Sequence, residues 1–361
     1  MMECSIMSNS GATMKKIAEL AGVSITTVHR VLNNKEGCSE QLREKIYRIA
    51  QEQGYSVNYA AASMSKHTLN IVLLFPANGW GHNFFLQPML NGYLAYRRDV
   101  SKFNVVFQEQ YFGSNEGEDS PAKLLRDLYL KRPVECDGIV MYDIDPTPEV
   151  HDWVNRLLGQ GKPIVMLEKE HFSGDGICTV TPNEEIAGRM AGELMSKFLH
   201  KEGTVAVLSQ QLKDVDGNPS FFTEELTTRR KGLKIEQFGF AMDGSYGEQI
   251  RNILSGIDDL AGVYITSARH TAGYLSVCDQ LPVKPETVIG SELFAETKMA
   301  LDQGKLDAVI DKRPFSIGYH ALDILFSHLV KNEPLISCLR ITPRAIFQSN
   351  SAAYYDRNTP N

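Results

Sequence analysis

The chain of 361 residues contains no run of about eighteen apolar residues, so no membrane-spanning helix is expected. Residues 1–12 are polar and lack the apolar core of an export signal. They are expected to form a flexible N-terminal tail, with the protein retained in the cytoplasm. Cysteines are few and scattered, at positions 4, 38, 136, 178, 278 and 338, and no C-x-x-C pair occurs. That spacing argues against a disulfide frame or zinc site and fits reduced thiols. No glycine-rich phosphate loop, dinucleotide fingerprint, low-complexity segment or internal repeat is visible. Asp143, Asp145 and His151 offer polar chemistry, but no nucleophile, base and orienting group stand at motif spacing. Neither enzymatic activity nor a cofactor or metal is expected.

What is present is an ordinary globular composition, 43% hydrophobic and 22% charged, long enough for two or three domains. The net charge of −7 is unevenly divided. Residues 1–66 hold eight Lys or Arg and six Asp or Glu, a balance of +2, which leaves −9 for the remainder. A head this mildly basic points to specific contacts and dimerisation, not bulk attraction, if it meets nucleic acid.

The stretch from Thr13 to Lys66 organises the chain. Thr13 is placed to cap a first helix with Ile17, Ala18 and Ala21 on one face. Gly22-Val23-Ser24 interrupts the period: the glycine permits a tight turn, the valine plugs the angle and the serine caps the next helix. A second helix over Ile25 to Asn33 buries Val28, Val31 and Leu32 and turns Ile25, Thr26, His29 and Arg30 outward. A third helix begins after Ser39 and packs Leu42, Ile46, Ile49 and Ala50. An outward face with one arginine among short and apolar side chains suits the edge of a major groove.

The run MKKIAELAGVSITTVHRVLNN, followed by GCSEQLREKIYRIAQEQGYSVNYAAASMSK, resembles the head of the lac repressor (LacI/GalR) family. The resemblance rests on the turn, on Thr27-Val28-x-Arg30-Val31-Leu32-Asn33, on Glu44-Lys45-Ile46 and on Gly54-Tyr55, all in family order. It implies DNA contacts by Thr13, Ser24, Ile25, Thr26, Thr27, His29, Arg30 and Asn33. Thr26, Arg30 and Ile25 would face base edges, while Ser24, Thr27 and Asn33 hold phosphates. Residues 58–68 would be the hinge, too short to be a stable helix alone and ordered by pairing in the minor groove. Asn58 and Met64 belong to that contact, Met64 as the wedge. The chain departs from the family here, with Val57 for the usual proline and Met64 for the usual leucine.

From Leu69 onward, short apolar runs alternate with amphipathic helices. Strands are expected at Asn70–Phe75, Val105–Gln108, Gly138–Met141, Ile164–Leu167, Cys178–Val180, Thr204–Leu208, Gly262–Ile265, Val288–Gly290 and Ala308–Ile310. Helices are expected at Ala122–Leu130, Asn183–His200 and Ile317–Val330, and Lys169–Gly176 as a crossing loop. Buried runs separated by helices indicate parallel sheets. The expected fold is an all-α helix-turn-helix head plus an α/β core of two doubly wound lobes, similar to the type I periplasmic-binding-protein fold that the family carries as a sensor. The divisions are 1–12 tail, 13–57 head, 58–68 hinge, 69–347 sensor and dimerisation domain, and 348–361 tail.

Ligands of such sheets sit beyond the carboxyl ends of strands. Asn83, Phe84, Tyr142, Glu168, Arg229, Ser267, Glu292 and Lys312 are the candidates. The resemblance implies that Glu168 and Glu292 are hydroxyl-accepting carboxylates, Arg229 a ligand clamp and Phe84 part of an aromatic loop. Lys312 stands where relatives carry glutamine, and reads either as a surface residue or as a cation favouring an acidic sugar. The implied partners are a near-palindromic operator, a sugar or sugar-acid effector, and a second copy of the chain. The apolar helix face of Leu86, Met89, Leu90, Tyr93 and Leu94 is open to two roles, dimer contact or core. A solute-binding protein of the same core fold is the alternative function.

Overall fold

The computed structural model describes residues 13–32, 35, 37–53, 68–77, 84–113, 120–130, 136–142, 144, 146–210, 217–240 and 246–358. The expected tail 1–12, Asn33, Asn58, Met64, Asn83 and all of the expected hinge except Thr68 lie outside the described residues.

Among the described residues three helices make the head: α1 (Met14–Ala21), α2 (Ile25–Leu32) and α3 (Glu40–Glu52). The Thr13 hydroxyl caps α1 by accepting the Lys16 amide at 3.3 Å. Gly22 closes it at φ 70°, its own amide donating to Ala18 and Glu19. A Cβ on Gly22 would meet open space, so the left-handed backbone alone selects glycine, at a saving of about 1 kcal/mol. Ser24 caps α2 by accepting the Thr27 amide at 3.1 Å. Ile17, Ala18, Ala21, Val28, Val31, Leu32, Ile46 and Ala50 close the core, with Leu42 and Ile49 half-buried beside them. From α3, Lys45 donates to the Ala21 carbonyl and Tyr47 to the Val31 carbonyl, each at 2.9 Å. Both bonds satisfy carbonyls that a helix end leaves open.

Among its described residues the core holds two six-stranded sheets. The first contains β1 (Leu69–Pro76), β2 (Val105–Phe112), β3 (Gly138–Met141), β4 (Ile164–Leu167), β5 (Ile177–Pro182) and β11 (Cys338–Ile341). Its order is β11-β5-β4-β3-β1-β2, with every pair parallel. The second contains β6 (Thr204–Ser209), β7 (Lys234–Gly239), β8 (Leu260–Ile265), β9 (Thr287–Ser291), β10 (Ala308–Asp311) and β12 (Arg344–Ile346). Its order is β12-β10-β9-β8-β6-β7, and β12 alone runs antiparallel. Strand for strand the two orders correspond, a structural repeat that the sequence does not display.

Central strands such as Ile71–Phe75 are buried on both faces, which requires helices on both sides. Helices α4 (Leu86–Asp99), α5 (Pro121–Leu130), α6 (Pro148–Gly159) and α12 (Pro314–Lys331) pack on the first sheet. Helices α7 (Glu184–Phe198), α8 (Asn218–Arg229), α9 (Tyr246–Ser255), α10 (Ala268–Val277) and α11 (Ala295–Asp302) pack on the second. α4 and α12 touch backbone to backbone: a Cβ on Gly92 would lie 2.0 Å from the Phe315 carbonyl oxygen. On α4, Leu86, Met89 and Tyr93 are buried core, and only Leu94 of the expected apolar face is exposed.

Two further expectations are corrected. Lys169–Gly176 does not cross between lobes; it joins β4 to β5, neighbours in one sheet. The crossings lie at 182–184, where β5 leads into α7; at 311–314, where β10 leads into α12; and at 341–344, where β11 leads into β12. The last segment is not a tail up to residue 358: α13 (Gln348–Asn358) packs against α11.

Candidate nucleic-acid interface and inter-lobe cleft

On the head, the side chains of Ser24, Ile25, Thr26, His29 and Arg30 are exposed together along the start and outer face of α2. Ile25 is 50% exposed, an apolar side chain left in water at the mouth of a helix-turn-helix. Thr27 is half-buried and its hydroxyl bonds Ser24 Oγ at 2.9 Å. The Arg30 guanidinium lies alongside Gly37 at the entrance to α3. Thr13 is exposed at the other end of α1, with its hydroxyl engaged as the cap.

In the core, helices run back against the strands they follow, so the first turn of each helix and the last residue of each strand share one edge. The two edges meet: Phe84, just before α4, stacks on Phe294, just before α11, with ring centroids 4.1 Å apart. Tyr142 follows β3, half-buried against the first-sheet core, and its amide donates to the Leu74 carbonyl at 2.9 Å. Ser267 follows β8 as the cap of α10, and its hydroxyl lies 2.8 Å from His270 Nδ1.

Glu168 and Glu292 are structural counterparts. Each is the residue just past a strand, β4 or β9, and each has a left-handed backbone, φ 77° and φ 64°. The Glu168 amide donates to the Val180 carbonyl on the next strand at 3.0 Å, and the Glu292 amide to the Ile310 carbonyl at 3.1 Å. A non-glycine residue in this conformation costs about 1 kcal/mol and persists where the surroundings hold it. Their environments differ. Glu168 is half-buried, whereas Glu292 is 2% exposed and its carboxylate accepts from the Lys312 amide at 3.1 Å. Burial pushes the Glu292 carboxyl well above the ordinary glutamate range, and the Asp311 charge pushes it further, against the pull of Lys312. Glu292 therefore belongs to a buried network and offers the cleft little free carboxylate.

Lys312, at the end of β10, is not a surface residue: its side chain is 12% exposed and its ammonium meets Glu184 Oε1 at 2.9 Å. Burial opposes its charge, but Glu184 and Glu292, with Glu168 from the facing lobe, raise its pKa on balance. Arg229 is placed away from this edge. It ends α8, at the opposite end of the helix from Asn218, and is bound by Glu225 at 2.6 Å and Glu193 at 3.4 Å. The family resemblance implied a clamp here, but α8 carries the chain away from the cleft edge at Asn218 before it reaches Arg229. Residues missed in the sequence are Phe294, Glu184 and the pair Asp311–Arg344, whose ions lie 2.7 Å apart with Asp311 1% exposed. The signal for Asp311 was a charged residue closing the apolar run Ala308–Ile310; Arg344 carried none.

Comparison with known proteins agrees with this geometry. Residues 13–58 match the family described as bacterial regulatory proteins, lacI family, and residues 75–333 match the periplasmic binding protein domain. This chain belongs to the lacI family. A relative of this lacI-family chain is the probable HTH-type transcriptional repressor ExuR of Bacillus subtilis, 26% identical over 196 residues, or 53% of each chain. The match therefore spans about half the length of that relative. Among solved structures, a putative LacI transcriptional regulator from Bacteroides fragilis matches with TM-score 0.67 at 13% identity, over 80% of this chain and 100% of the other. A solute-binding protein from Burkholderia graminis in complex with D-arabinose matches with TM-score 0.66 at 18% identity, over 80% and 98%. At these identities the solved structures establish the fold of the lacI-family core and no more. Among the described residues, no helix is long and apolar enough to cross a membrane.

Proposed function

We propose that this lacI-family chain is a sequence-specific DNA-binding transcription regulator, cytoplasmic and without enzymatic activity, whose cleft answers to a small sugar. The exposed face of Ile25, Thr26, His29 and Arg30 on α2, joined in one chain to a two-lobed core, carries this reading. A solute-binding protein needs the lobes but has no use for such a face. Thr26, Arg30 and Ile25 read base edges, and Ser24 and Thr27 hold phosphates, with Asn33, Asn58 and Met64 assigned by family likeness alone. Two copies bind a near-palindromic site, because two-fold protein symmetry calls for two-fold DNA. The sugar shifts DNA affinity only by binding one arrangement of the lobes better than the other.

The cleft favours a neutral sugar over a sugar acid. Glu184 already neutralises Lys312, and Glu168 lies close enough to influence it, so an added carboxylate meets an edge with little spare positive charge. The test begins with selection of bound duplexes from a random pool by the full-length protein. A panel of sugars and matching uronates is then titrated into the selected complex. Enrichment of near-palindromic duplexes, with a neutral sugar changing affinity more than its uronate, is expected. Failure to enrich any site refutes the regulator, and a stronger response to the uronate refutes the neutral cleft.

A further inference from the structure

Among the described residues the polypeptide passes between the lobes three times, at 182–184, 311–314 and 341–344. Three separate strands of chain make a loose joint unless something ties them, and here each crossing is tied to both others. The first meets the second through Glu184 and Lys312, 2.9 Å apart. The second meets the third through Asp311 and Arg344, 2.7 Å apart, and through an Arg313 guanidinium donating to the Thr342 carbonyl at 3.5 Å. The third meets the first through the Asn183 amide, which donates to the Ile341 carbonyl at 2.9 Å.

Each of the two ion pairs has one sheltered partner. The Lys312 side chain is 12% exposed and Asp311 1%. Glu184 is itself held in place, its other oxygen accepting from Asn218 Nδ2 at 2.9 Å at the start of α8. Asn218 in turn accepts from the Tyr264 hydroxyl at the end of β8. Lys312 has a second anchor through its amide, which donates to Glu292 at 3.1 Å. Between the ties stands Arg313, with a left-handed backbone at φ 60°, followed by Pro314.

We propose that Glu184 and Lys312 are a positioning pair that braces the three crossings into one hinge, so that the lobes turn as a unit and a contact at Lys312 is felt at all three. A helix start carrying a glutamate and a strand end carrying a lysine are unremarkable separately; the proposal rests on their meeting between two crossings that are already linked through a third. It concerns motion of the lobes and needs neither operator nor sugar, so its failure leaves the regulator reading standing.

The test uses the full chain with spin labels on genetically encoded non-cysteine residues at the exposed positions Leu130 and Met299, one in each lobe. Inter-lobe distance distributions are recorded for the unsubstituted chain, Glu184→Gln, Lys312→Gln, the double variant and Lys312→Arg. Each glutamine variant is expected to widen the distribution about twofold, the double variant to be no wider than either, and Lys312→Arg to stay narrow. In parallel, amide exchange in Glu184→Gln is expected to quicken about tenfold at both Asn183 and Arg313. A single variant with the original narrow distribution, widths that add in the double variant, or quickened exchange at Asn183 alone would overturn the brace. Glu184→Gln keeps an oxygen for Asn218, and its side chain is 36% exposed, so the exchange measurement stands even where Lys312→Gln folds poorly.

Discussion

The two lobes share one strand order but use their facing edges differently. In the first lobe, the position after β4 carries Glu168, half-buried, and the facing residue of β5 is Thr181, whose hydroxyl donates to the Glu168 carbonyl. In the second, the equivalent places after β9 and on β10 carry Glu292 and Asp311, both nearly inaccessible and joined to Lys312 and Arg344. The matched amide bonds from Glu168 to Val180 and from Glu292 to Ile310 set this correspondence residue by residue. Equivalent backbone therefore does not make equivalent chemistry. One edge keeps a carboxylate near the surface of the cleft, and the other buries its carboxylates in a frame that holds the chain crossings.

The largest difference is expected from removing the counterparts on β5 and β10. Asp311→Ala strands the Arg344 charge, and should cost about 3–5 kcal/mol in urea unfolding. Thr181→Val removes one neutral hydrogen bond and should cost about 1 kcal/mol. Equal costs would erase the contrast between the edges. A smaller effect separates Glu292 by pH. Its carboxyl titrates well above the ordinary glutamate value of 4.5 in the folded chain, so between those values the folded state holds more protons than the unfolded state. Stability contributed at this site is therefore lost as pH rises above 4.5. Relative to Glu292→Gln, the unsubstituted chain should lose unfolding free energy across that interval; parallel pH profiles would contradict the raised carboxyl.

Much of the architecture was legible in the sequence because burial imposes a pattern. Gly138–Met141 and Ile164–Leu167 match their strands at both ends, since each is an apolar run closed by a polar residue. Lys234–Gly239 and Arg344–Ile346 were passed over because they are edge strands, where one side meets solvent and the apolar run breaks up. The cleft was half legible. Strand ends put Tyr142, Glu168, Ser267 and Glu292 on one edge, because that edge follows from chain direction alone, whereas Lys312 came from family likeness. Arg229 lies off that edge, and a family likeness read along the sequence does not say which end of a helix a residue occupies. Glu184 and Lys312 stand 128 positions apart, and only the folded crossings bring them together.

On the duplex selected by the full-length protein, base-by-base affinity is to be measured for the unsubstituted chain and for Arg30→Ala at fixed salt. The expected result is a loss of about 1–3 kcal/mol with selectivity relaxed at one base pair in each half-site. Unchanged affinity and unchanged selectivity at every position would contradict the assignment of α2 as the helix that reads DNA.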